Sequence, residues 1–142
     1  EMDWLDDLNI LVKRELIEEI DIDIIDRLQM NDLLFIDSSH IIRPQGDVLK
    51  LYLEIIPRLK SGVIVHVHDI FTPRDYLDEW VREDIKFWNE QYLLEALISN
   101  DSKYEILAAL NFIHHSRFED LKYICPYLSK NNEPGSFYFK IK

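Results

Sequence analysis

The residues of this chain whose types could do chemistry fall in two short clusters, each closing an apolar run. One is Asp37-Ser38-Ser39-His40, after Leu33-Leu34-Phe35-Ile36; the other is His66-Val67-His68-Asp69, after Val63-Ile64-Val65. Imidazole titrates near neutrality, so His40 and His68, with Asp69 beside the latter, are candidates for removing a proton from a hydroxyl. His66 and His68 share one side of an extended segment, which with Asp69 sketches a two-histidine, one-carboxylate set; His66 lies one pleat deeper. The competing reading is that all these groups are polar strand ends satisfied by hydrogen bonds. A serine hydrolase is poorly supported, because no Gly-x-Ser-x-Gly elbow surrounds Ser38.

Such groups need elements to hold them. Residues 33–37 and the run after Gly62 read as strands buried on both faces, unbroken in Val, Ile, Leu and Phe. Between them residues 46–59 read as a helix, with Val48, Leu51, Tyr52, Ile55 and Leu59 on one face and Pro57 near its end. Strand, helix, strand makes a parallel pair with a crossover. Ligands of open parallel sheets bind beyond the carboxyl ends of the strands, which brings the two clusters to one edge.

Elsewhere residues 3–19 read as a helix capped by Asp3, with a short strand over 9–16 as the alternative, and 22–30 as a short helix. Residues 83–98, with Phe87, Trp88, Tyr92 and Leu94, and 117–128 read as helices, and 104–113 as a strand or mixed segment. Residues 136–142 alternate Phe137, Phe139 and Ile141 with Tyr138, Lys140 and Lys142, a strand with one wetter face. The aromatic stripe Trp80, Phe87, Trp88 and Tyr92 reads as core, and His114-His115 as a surface loop.

The chain has 142 residues, a length suited to one domain, with 47% hydrophobic and 30% charged residues. Its net charge of −11 argues against nucleic acid and anionic membranes as partners. No apolar run reaches the ~20 residues that span a bilayer. Cys125 is the single cysteine, and with no secretory signal pattern a cytoplasmic location is expected.

Taken together, the runs Leu34-Phe35-Ile36-Asp37-Ser38-Ser39-His40, Gly46-Asp47, Leu53–Gly62, His66-Val67-His68-Asp69-Ile70-Phe71, Trp88–Leu94 and Gly135–Phe139 resemble the C-terminal part of class I S-adenosylmethionine-dependent methyltransferases. The resemblance covers roughly residues 30–142. It implies an α/β fold: an incomplete Rossmann-like sheet of parallel strands, ending in an antiparallel hairpin from residues 104–113 and 136–142, with helices on both faces. It implies transfer of a methyl group from S-adenosylmethionine to a small-molecule acceptor, O-methylation being the expected chemistry. Asp37, Ser38 and Ser39 then lie on the cofactor side, and Trp88 and Asn89 on a helix bordering the acceptor. Metal-dependent relatives carry a cation on acids at these strand ends. That makes Asp37, His68 and Asp69 a candidate set, in which the imidazole suits manganese, iron or zinc better than magnesium.

The family's glycine-rich cofactor loop has no counterpart, since Gly46, Gly62 and Gly135 are the only glycines. The expectation is a single domain over residues 1–142, the C-terminal part of a methyltransferase lacking its first βα units, inactive alone. The 33–37 strand would then be an exposed edge, covered by residues 1–20 or by a second copy in a homo-oligomer. The alternatives are a non-catalytic assembly module of Rossmann type and a metal-dependent hydrolase or oxygenase built on His40, His68 and Asp69.

Overall fold

The computed structural model describes residues 8–99 and 101–142. Its described elements form a mixed α/β structure around one four-stranded sheet, β1 (Leu33–Ile36), β2 (Ile64–His68), β3 (Tyr104–Ala109) and β4 (Ser136–Ile141), ordered β1-β2-β4-β3. β1 and β2 run parallel, with Phe35 beside His66 and Ile36 beside Val67. β4 is antiparallel to both β2 and β3, and a bulge interrupts the β3 ladder between Ile106 and Ala108. The sheet is therefore mostly antiparallel, with one parallel pair, rather than mainly parallel as expected. The wedge is β4: its alternating Phe137, Phe139 and Ile141 are all buried, so it inserts beside β2 as a central strand.

The crossover between the parallel strands is α1 (Asp47–Lys50), a π turn (Leu51–Ile55) and α2 (Ile56–Arg58), a continuous helical stretch. The π turn stands just before Pro57, whose ring displaces the carbonyl four residues back and which has no N–H to offer it. Val48, Tyr52, Ile55 and Ile56 are fully buried along this stretch, and with Val65, Val67, Phe137, Phe139, Ile141 and Leu94 they make the core. Burial of such side chains contributes roughly 1.5–3 kcal/mol each.

The core lies against one face of the sheet only. Val65 and Val67 are buried while Ile64, His66 and His68 between them are not, and Leu33 and Phe35 are each 52% exposed. β1, all apolar, cannot show which face is covered, whereas in β2 the less covered side is the one that carries His66 and His68. β1 is an edge of the sheet. Residues 8–20 form no strand beside it, and residues 1–7 lie outside the described residues.

The expected helix over 3–19 is replaced in its described part by irregular chain and a 3₁₀ turn at Ile17–Glu19, and the helix over 22–30 by a 3₁₀ turn at Ile22–Arg27; no strand forms over 9–16. The expected helix over 83–98 is instead α3 (Asp78–Arg82), an irregular segment with Ile85 at φ +54°, and α4 (Glu90–Ile98). Phe87 is 69% exposed there, so the aromatic stripe is only partly core. β3 gives way to α5 (Leu110–Ser116), then α6 (Phe118–Ile124). His114-His115 is thus helical, with His114 buried, rather than a surface loop.

Candidate active site

The carboxyl ends of β1 and β2 bring the two polar clusters together. The loop after β1 folds back on itself. Ser39 donates from both its amide and its hydroxyl to Asp47 at the start of α1, 2.6 Å each, and Ser38 Oγ accepts from the His40 amide at 2.9 Å. These bonds hold His40 at φ +58°, the left-handed region that non-glycine residues rarely occupy. Asp69, just past β2, is also left-handed at φ +55°. Gly135 lies against it; a Cβ there would come 3.0 Å from the Asp69 Cα and 3.2 Å from its Oδ1. Strain of this kind persists only where the surroundings enforce it, and it gathers at functional sites.

His40 is 4% exposed and is held from behind by Glu90, the first residue of α4, which is wholly buried. His40 Nδ1 lies 2.7 Å from Glu90 Oε2, and Ser38 Oγ donates to the same oxygen at 2.7 Å. Trp88 packs on the imidazole, ring centroids 4.2 Å apart, and the Asn89 and Glu90 amides both donate to the His40 carbonyl. Asn89 Oδ1 accepts from the Ile42 amide at 2.6 Å. The segment Trp88-Asn89-Glu90 is therefore the clamp of the His40 loop. Glu90 was not among the expected site residues. The signal for it is helical spacing: Glu90 is four residues before buried Leu94, which puts it on the core side of α4.

With Nδ1 fixed by Glu90, His40 Nε2 is the outward atom. It stands 3.6 Å from Asp37 Oδ1 and 3.8 Å from Asp69 Oδ2. Burial pulls the His40 pKa down, but the Glu90 hydrogen bond and charge, and then the Asp69 and Asp37 charges, outweigh it and raise the pKa above the ordinary 6.5. Behind Glu90, the Tyr52 hydroxyl is fully buried. Burial first, then the Glu90 charge, pushes its pKa well up. Glu90 interacts with that phenol, although Tyr52 Oη and Glu90 Oε1 do not meet the geometry of a hydrogen bond.

His68 Nδ1 approaches Asp69 Oδ1 to 3.2 Å and Asp37 Oδ1 to 3.7 Å, again without hydrogen-bond geometry to either. His66 belongs elsewhere: it stacks on Tyr138 at 4.1 Å and its Nε2 meets Ser136 Oγ at 3.0 Å. Burial and the neighbouring His68 lower its pKa.

Of the expected site residues, Asp37, His40, His68 and Asp69 converge and Trp88 borders them. Ser38, Ser39 and Asn89 use their side chains to brace the loop. Among the described residues no three His, Cys, Asp or Glu side chains form a group able to hold a metal ion. No helix among the described residues is long and apolar enough to cross a membrane. The arrangement can hold an imidazole in one tautomer, with Glu90 behind it and two carboxylates in front, and so accept a proton at Nε2. No family model, no curated protein and no solved structure matches the chain.

Proposed function

We propose that this chain is the acceptor-activating part of a class I S-adenosylmethionine-dependent methyltransferase that methylates a small-molecule hydroxyl. The observation that carries the reading is the buried Glu90–His40 pair at 2.7 Å, with its free imidazole nitrogen turned to the strand-end acids Asp37 and Asp69. S-adenosylmethionine, when bound, supplies an electrophilic methyl group and its own leaving group. His40 Nε2 takes the hydroxyl proton as the acceptor oxygen is methylated, and Glu90 stabilises the imidazolium through Nδ1–H. Asp69 and Asp37 orient the acceptor by accepting hydrogen bonds from it, and the Trp88 ring keeps water from one side of the imidazole.

The residues fit the acceptor side better than the cofactor side. Gly46 caps α1, Gly62 closes the turn before β2 at φ +86°, and Gly135 packs on Asp69, so none cradles a nucleotide. Asp37, exposed at the end of β1, would serve the cofactor as well as the acceptor. The 142-residue chain alone is accordingly expected to bind S-adenosylmethionine weakly or not at all. Calorimetry that found micromolar affinity would overturn that expectation.

The decisive assay follows labelled methyl from S-adenosylmethionine into phenols and alcohols, using the full-length gene product. Transfer that collapses in His40→Asn supports the reading; transfer to no hydroxyl, or at an undiminished rate in the variant, sinks it. A second reading, a non-catalytic assembly module, draws on β1 being an edge strand among the described residues, with half-exposed Leu33 and Phe35. Light scattering that showed a monomer at all concentrations would remove it.

A further inference from the structure

A second polar site lies away from the His40 loop, on α5 and the chain beyond α6. A recess of about 300 Å³ is lined by His114, His115, Phe118 and Lys130. This is the low end of the range for small-molecule sites, roughly 300–1,000 Å³. In a chain of net charge −11 the lining contains no carboxylate. Lys130 places its ammonium 5.5 Å from the Phe118 ring centroid and pairs with no acid among the described residues.

His114 supplies an independent sign. It is 4% exposed, and its Nδ1 is buried without a hydrogen-bond partner. A buried polar atom left unmatched is costly, so the His114 ring is held in its place at the recess against that cost. Its ring meets Phe118 edge to face at 5.2 Å and His115 at 5.0 Å. The nearby acid, Glu133, is already engaged: its Oε2 accepts from Asn111 Nδ2 and contacts His115 Nε2, each at 2.8 Å. That leaves the recess itself with donors and a cation.

We propose that this recess binds a small oxyanion, with Lys130 as counter-charge, the His114 and His115 imidazoles at its wall and the Phe118 ring as an apolar face. The shared chemistry is a phosphate or carboxylate group, free or carried on a small ring. The site is separate from the His40 loop and does not depend on the proposed methyl transfer.

The test is a ¹H–¹⁵N titration of the histidine imidazoles in the 142-residue chain, with inorganic phosphate and, separately, benzoate, at constant ionic strength. Saturable shifts confined to His114 and His115, with His40, His66 and His68 unmoved, are expected. Lys130→Met, a change at an exposed position, should weaken binding at least about tenfold. His114→Leu should weaken it too; if that variant does not fold, Lys130→Met decides. Benzoate binding more tightly than acetate would support Phe118 as the wall, and equal binding would remove the ring from the proposal. No saturation by either anion, equal shifts at all five histidines, or unchanged affinity in Lys130→Met would overturn the site.

Discussion

The molecule contains two imidazole–carboxylate pairs of nearly the same length: His40–Glu90 at 2.7 Å and His115–Glu133 at 2.8 Å. Their surroundings differ. The side chains of His40 and Glu90 are 6% and 0% exposed, those of His115 and Glu133 32% and 30%. In the first pair Ser38 and Trp88 fix both partners, and further acids face the free nitrogen of the imidazole. In the second, Asn111 helps hold the acid. Distance alone does not make a general base. Burial without escape for the charge, a fixed tautomer and an aimed second nitrogen distinguish the two.

The largest difference should appear in stability. Glu90→Ala strips a buried imidazole of its partner and is expected to cost about 3–5 kcal/mol in urea unfolding. Glu133→Ala, at a part-exposed pair, is expected to cost no more than about 1 kcal/mol. Equal costs would break the contrast.

Next comes rate. His40→Asn should lower the proposed methyl transfer about 10²–10⁴-fold while the melting transition remains cooperative. A loss confined to KM would recast His40 as a binding residue.

The pH profiles should then diverge in opposite senses. The His40 pKa is raised above 6.5 in the folded state. Its contribution is therefore full below the unfolded value and is lost as pH rises through the folded one. The stability gap between wild type and His40→Asn should narrow on the alkaline side. In Glu133, burial raises the pKa but the His115 and Asn111 hydrogen bonds prevail and hold it below 4.5. Its contribution is present above the unfolded value and is lost as pH falls through the depressed one. The gap to Glu133→Gln should narrow on the acid side. Parallel profiles would refute the assignment of the shifts.

The smallest expected effect is of salt. In about 1 M salt the coupling of His115 to Glu133, read by a double-mutant cycle, should shrink, while that of His40 to Glu90 should hardly change.

Much of the frame is legible in the residues. The strand–helix–strand order holds because Val48, Leu51, Tyr52 and Ile55 keep helical spacing between two apolar runs, and β4 because Phe137, Phe139 and Ile141 alternate. The convergence of Asp37 and His40 with His68 and Asp69 follows from that order alone. Glu90 was harder to see, because a charged residue at a helix start usually faces water. Here Ser38 and His40, some fifty positions away in sequence, pull it inside.

The sequence by itself determined the period of each element and hence which end of the sheet carries the polar groups, since side-chain alternation and helical pitch are local properties. Only the tertiary structure decided that β4 splits the sheet and that one face is less covered than the other. It alone turned His40 and Asp69 into the left-handed region and seated Glu90 behind the imidazole. These depend on packing and hydrogen bonds between distant residues, which local spacing does not encode.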